Sequence, residues 1–350
     1  IAALTVAVSH FLAAFYLTGK DAGTVLESLR PVSHLFGILA HKAVWIFFVL
    51  SGFVLTLQLD SRQHTYLRYL GSRLIRLYLP VWFAIVVNLS VIWTIGQFGQ
   101  KIEFWIGGDP EAITFPGLVL EFLLVPDGYY LGPLWSLKWE VVFSILAFAA
   151  WKTGLFRKYP LITIVSASAL SMVGEYLTNG WIKYLPMFIV GVALYHLHHN
   201  KWVNKKDTLS VFSEIGVLAL AVFLPASGFV LTGLKELGLE NLRYVLDVPL
   251  SLLATSLLFF ALSRGRILKN VLSIKWLQFL GDISFSLYLL HAPIILLGLY
   301  LSNFNILVGL ACLVVSIPLS YFAFKLVEKP VQNLSRKVRS DSMPTNGTGD

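Results

Sequence analysis

Runs of about twenty predominantly apolar residues recur along the whole chain, broken by short polar connections, and each is long enough to cross a bilayer's hydrocarbon core as a helix. That feature removes most soluble architectures. A membrane barrel requires apolar and polar residues in alternation, and no such alternation is present. Composition agrees: 57% of the 350 residues are hydrophobic and 13% are charged, with a mean hydropathy of +0.74. The 10 Trp and 14 Tyr suit the interfacial belts of such a protein. The expected fold class is all-α, a polytopic integral membrane helical bundle.

About ten spans are expected, near residues 1–17, 43–59, 77–96, 134–151, 160–176, 184–200, 211–231, 245–263, 283–301 and 306–325. The Lys and Arg bias of short connections sets orientation. One alternating set of connections holds 19 of the 27 basic residues, including Arg62, Arg73, Arg157, Lys205, Arg264 and Lys329. The other set holds 7, and Lys138 lies within a span. This asymmetry predicts that both ends are cytoplasmic. It also accounts for the net charge of +8 without a nucleic-acid partner. Because Ile1 already lies in an apolar run, a native start is expected to be missing, and no signal peptide is expected. Residues 1–339 are expected to form one transmembrane domain and residues 340–350 a disordered cytoplasmic tail. The outer connection from Gln97 to Pro133 is the longest, with turn signals at Gly107-Gly108-Asp109-Pro110 and Pro126-Asp127-Gly128. Its apolar middle, Leu118 to Val125, is too short to cross and suits an interfacial or partly re-entrant helix.

Ionisable groups inside such spans are expensive and usually mark a functional path through the bundle. His10, Glu140 and His291 each interrupt an apolar stretch. A neutral imidazole at position 10 can accept a proton from an alcohol, or it can serve only as an interhelical hydrogen-bonder. Glu140 can orient His10, bind an acceptor hydroxyl, or pair with Lys138 or another inner group. Arg73 and Arg76, three residues apart in the connection before the third span, share a helix face and suit phosphate oxygens, with lipid anchoring as the plainer role. Ser51-Gly52 forms a small polar notch, a feature that most often serves helix packing. Tyr288 and His291 share a face of the ninth span, Trp135 stands at the mouth of the fourth, and Asp282 suits an N-cap. Cys312 is the only cysteine, which excludes an intrachain disulfide and a cysteine-based metal cluster. His196, His198 and His199 lack a carboxylate companion, so no metal is expected.

In order and spacing, several short pieces resemble the acyltransferase family 3 proteins, bacterial membrane O-acyltransferases. They are Ala2-Ala3-Leu4 up to His10, Phe47-Phe48-Val49-Leu50-Ser51-Gly52-Phe53, Arg73-Leu74-Ile75-Arg76-Leu77-Tyr78, Trp135-Ser136-Leu137-Lys138-Trp139-Glu140, Ser286-Leu287-Tyr288-Leu289-Leu290-His291 and Glu328-Lys329-Pro330. The resemblance covers nearly the whole chain. It implies an acyl-CoA co-substrate, often acetyl-CoA, no metal, and transfer to a hydroxyl of an envelope glycan or glycolipid across the bacterial inner membrane. It also implies that His10 is the essential histidine, that Arg73 and Arg76 lie on the CoA side, and that Glu140 is the motif glutamate. Ser51, Tyr288, His291 and Trp135 are then candidates for the substrate or oxyanion lining. The family's usual Arg-Gly pair would precede Ile1. The competing expectation is a proton-coupled transporter or flippase of a glycan or lipid-linked substrate, for which internal repeats are expected and none is evident. Oligomeric state is open.

Overall fold

The computed structural model describes residues 1–18, 24–61, 65–99, 113–125, 131–199, 209–230 and 240–340. Among these residues the ordered elements are helical and no strand occurs. The long helices are α1 (Ala2–Thr18), α2 (Thr24–Asp60), α3 (Tyr66–Gln97), α5 (Leu134–Lys152), α7 (Pro160–Tyr176), α8 (Gly180–His199), α9 (Val211–Val230), α10 (Glu240–Arg264), α13 (Ser284–Leu301) and α14 (Ile306–Ala323). Shorter pieces are α4 (Phe115–Phe122), α6 (Leu155–Lys158), α11 (Ile267–Leu272), α12 (Lys275–Asp282) and α15 (Lys329–Ser340). A π-helical turn, Phe324–Glu328, joins α14 to α15.

Among the described residues seven helices are long and apolar enough to cross a membrane, and Ala2–Ala14, Pro160–Tyr176 and Val211–Leu224 form shorter apolar helices. Each expected segment falls on one of these helices. Large apolar side chains remain on the outer surface, with Val165 71% and Val222 69% exposed, the arrangement expected where lipid rather than water is the solvent.

Two helices extend well beyond the expected apolar windows. Helix α2 begins near residue 24 rather than 43, and α3 near residue 66 rather than 77. Hydropathy ends a span at the first charges, whereas the helical backbone continues through them when their side chains find partners. Lys42 is buried and paired with Asp247 of α10, so a charge does not end α2. The apolar middle of the outer connection is helical, as α4, and α3 holds it through Tyr78 and Trp82, which donate to the carbonyls of Leu123 and Phe122. Asp282 is not an N-cap: α12 ends on it, and Ile283 alone separates α12 from α13. The turn signals at Gly107–Pro110 and Pro126–Gly128, and residues 341–350 of the expected tail, lie outside the described residues.

Three buried apolar clusters place the polar residues. One joins α1, α2, α5, α8 and α10 around Phe48, Phe143 and Phe188. A second packs α1 against α13 and α14 through Ala7, Phe11, Ile295 and Leu299. A third links α3, α5 and α13. Helices α2 and α8 touch backbone to backbone: a Cβ on Gly52 would lie 2.0 Å from the Phe188 carbonyl oxygen, and one on Gly191 would lie 1.9 Å from that of Val49. Such contacts need residues without side chains. Gly191→Ala is therefore expected to force the pair apart and to destabilise the fold by about 1–3 kcal/mol, read as a lower unfolding temperature in detergent. An unchanged transition would show that this crossing is not tightly packed.

Candidate active site

Two groups of buried polar residues among the described residues gather most of the site candidates read from the sequence. The first joins α1 to α13. Alanines at positions 7 and 14 let α13 approach the α1 face that carries His10. The Nδ1 atom of His10 lies 2.8 Å from Nε2 of His291. The rings are 19° from parallel with centroids 5.1 Å apart, so they meet through their nitrogen-bearing edges. Nδ1 of His291 lies 2.9 Å from the carbonyl oxygen of Leu287, one turn back on α13. His291 has no exposed surface, whereas His10 is only half-buried. Of the two residues, His10 is thus the more exposed.

Tyr288, expected to share a polar face with His291, has its ring centroid 6.3 Å from that ring. Its hydroxyl lies 2.8 Å from Ser136 Oγ and donates to the Pro133 carbonyl at 3.0 Å. These contacts anchor α13 to the start of α5, beside Trp135 in the sequence. Trp135 packs edge-on against Phe48 and beside Tyr184, which ties the start of α5 to α2 and α8.

The second group joins α2, α3 and α5. Glu140 is 2% exposed and pairs with Arg73, itself 7% exposed. Ser51 Oγ donates to the same carboxylate, 2.5 and 2.7 Å from its two oxygens. Arg73 Nε donates to Ser144 Oγ at 3.4 Å, and Ser144 Oγ donates in turn to the Glu140 carbonyl at 2.7 Å. Of the three roles open to Glu140 in the sequence, the structure shows structural pairing, with Arg73 as the partner rather than Lys138. The one proton of Ser51 is committed to that carboxylate, which leaves it no donor for an oxyanion. Arg73 and Arg76 lie within α3 rather than in a connection, and they differ: Arg73 is enclosed, whereas Arg76 is exposed.

Sequence reasoning selected His10, His291, Tyr288, Trp135, Ser51, Arg73 and Glu140, but it missed Ser144 and Tyr184, met Ser136 only within a motif, and did not pair them. The usable signal was the scarcity of charge. A buried arginine and a buried glutamate in so apolar a bundle each need a counter-ion, and few candidates exist. Glu328, quoted in the Glu-Lys-Pro motif, is also buried; Ser286 of α13 donates to it at 2.7 Å and Gln332 at 3.0 Å. It closes the π-helical turn, a local distortion often found near functional sites.

A family model described as an acyltransferase domain matches residues 1–325. The fold and that match define a multi-pass membrane acyltransferase. The chain belongs to the acyltransferase 3 family. Comparison with curated proteins and with solved structures returns no match.

Proposed function

We propose that the protein is an O-acyltransferase of the bacterial inner membrane that takes an acyl group, with acetyl as the first choice, from cytoplasmic acyl-CoA and passes it to a hydroxyl of an envelope glycan or glycolipid. In this reading the ten apolar helices all cross the membrane and both ends face the cytoplasm, as the distribution of basic residues supports. The observation that carries the reading is the His10 imidazole, hydrogen-bonded to His291 inside the bundle of a chain that belongs to an acyltransferase family.

The chemistry is a single exchange. The acceptor hydroxyl gives its proton to His10 as its oxygen attacks the thioester carbonyl, and the tetrahedral intermediate then expels the CoA sulfur, which leaves as a thiol with the proton returned by His10. Acyl ester and free CoA are the products, and no metal is required. Arg76 is assigned to the phosphates of the donor because it is exposed on α3, whereas Arg73 is assigned to holding Glu140. Tyr288 and Trp135 line the acceptor side.

Two measurements test this. Radiolabelled acetyl-CoA incubated with membranes containing the protein is expected to yield label in a glycan or glycolipid fraction, and alkaline treatment is expected to release it as an ester. Label retained wholly as acetyl-CoA, with unlabelled glycan crossing vesicle membranes, would indicate the transporter reading instead. Separately, Arg76→Gln is expected to raise the apparent KM for the donor by about tenfold, the loss of roughly one charge-assisted contact, with kcat little changed. An unaltered KM would leave Arg76 as a lipid anchor.

A further inference from the structure

The hydrogen bonds of the histidine pair have a direction that fixes where the protons are. The Leu287 carbonyl can only accept, so the His291 Nδ1 atom 2.9 Å from it carries hydrogen. In a neutral His291 the other nitrogen, Nε2, is then a bare acceptor. His10 Nδ1, 2.8 Å away, must donate to it. A neutral His10 that carries its hydrogen on Nδ1 has its lone pair on Nε2.

We propose that His291 is a positioning residue that holds His10 in the Nδ1–H tautomer and so presents Nε2 as the base, doing with an imidazole what a carboxylate does in a Ser-His-Asp triad. This rests on the acyl-transfer reading. When Nε2 takes the hydroxyl proton, His10 becomes an imidazolium whose Nδ1–H still points at the lone pair of His291, and the charge is stabilised along that bond. When the sulfur leaves, the same proton passes from Nε2 to it, and both rings return to their starting state. The carbonyl of Leu287 is the fixed end of the chain, and because it belongs to the α13 backbone it cannot rotate away. The two rings are also held on different helices, so the tautomer depends on the packing of α1 against α13. Neutral partners suit this depth, because a buried aspartate in place of His291 would add a charge without a counter-ion.

The prediction separates substitutions by what they can accept. In His291→Leu no acceptor faces His10 Nδ1, and kcat is expected to fall by about 100-fold at unchanged donor KM, the size of effect seen when a catalytic imidazole loses its orienting partner. His291→Gln places an amide oxygen where Nε2 was and is expected to recover kcat to within about tenfold of the parent. Equal losses in the two variants, or a folded Leu variant at full kcat, would overturn the proposal. Nitrogen NMR of 15N-histidine protein in bilayers reads the tautomer without any turnover, with His10 assigned from the signals lost in His10→Ala. His10 is expected to show a protonated Nδ1 and a bare Nε2 in the parent. The opposite pattern would overturn the tautomer assignment even if acyl transfer were demonstrated. The expected pattern in a protein that fails to transfer acyl groups would refute the activity while leaving the proton arrangement intact.

A separate observation points to a lipid site. A cavity of about 1000 Å³ lies between α2, α7, α8 and α10, and its lining does not include His10, His291, Arg73 or Arg76. Its wall is mostly apolar, from residues such as Phe53, Leu253 and Phe259, with the hydroxyls of Ser168, Ser256 and Ser263 among them, and its charged lining residue Arg264 ends α10 while His198 lies in the last turn of α8. The neighbouring carboxylate, Glu214, accepts the backbone N–H groups of Arg266 and Leu268 at 2.7 and 3.0 Å. No acidic side chain pairs with Arg264 among the described residues. Basic pockets between membrane helices are suited to anionic phospholipid headgroups, and the geometry points to one such lipid here, its phosphate at Arg264 and its chains in the cavity. Native mass spectrometry of the full chain, titrated with phosphatidylglycerol or phosphatidylcholine, is expected to show at least fivefold preference for the anionic lipid. Arg264→Gln is expected to abolish the preference, and Ser256→Phe, which fills the cavity, to reduce binding of both lipids. Equal retention of the two lipids by the parent, or selectivity that survives Arg264→Gln, would overturn the site.

Discussion

Replacing His10 by alanine is expected to lower acyl transfer by a factor of about 100 or more while the protein stays folded, the contribution typical of a positioned general base. The fold should tolerate the change because His10 is only half-buried, and its hydrogen bond to His291 is the polar contact it makes to α13. His291 is left without its partner, but its anchor on Leu287 is kept. The loss should appear in kcat and not in donor KM, since nothing assigned to CoA binding has moved. A folded alanine variant that turns over at the parent rate would remove His10 from the chemistry.

The second large effect is on stability. Glu140→Leu leaves the Arg73 guanidinium enclosed at 7% exposure with its counter-charge gone, and Ser51 without its acceptor. Breaking one side of a buried ion pair costs about 3–5 kcal/mol, because a charge is left desolvated and uncompensated. The double change Arg73→Met with Glu140→Leu is expected to recover most of that loss, since an apolar pair of similar volume needs no counter-ion. Thermal or SDS-titration unfolding of the three variants in one detergent gives the comparison. A single variant as stable as the parent, or a double variant no better than the single, would show that the pair contributes differently. Activity need not follow stability, and a stable double variant with low turnover would assign the Ser51–Glu140–Arg73 group a role in the site as well.

The fold was legible where it depended on hydropathy and obscured where it depended on partners. All ten apolar segments are helices, because twenty apolar residues in lipid leave the backbone few other ways to satisfy itself. The starts of α2 and α3 were misplaced because Lys42, Arg73 and Arg76 read as the edge of a span, and only the folded chain shows that Asp247 and Glu140 neutralise two of them inside the bundle. Asp282 looked like a cap because it precedes a helical run, but α12 already occupies it. At the site, residue types pointed to His10, Glu140 and His291 individually. Their grouping depends on which helix packs against which, and α1 beside α13 is a tertiary fact with no local signature. The direction of the hydrogen bonds through His291 is one step further removed, since it needs the Leu287 carbonyl as its fixed reference.

The account turns on a thioester brought to the Nε2 face of His10. A structure of the full chain in a lipid nanodisc with a non-hydrolysable acyl-CoA analogue tests this most directly. The reactive carbon is expected within hydrogen-bonding or van der Waals reach of the His10 ring, with the nucleotide phosphates at the Arg76 end of α3. An analogue whose acyl carbon lay in the cavity between α2, α7, α8 and α10, with His10 facing only protein or lipid, would contradict the mechanism.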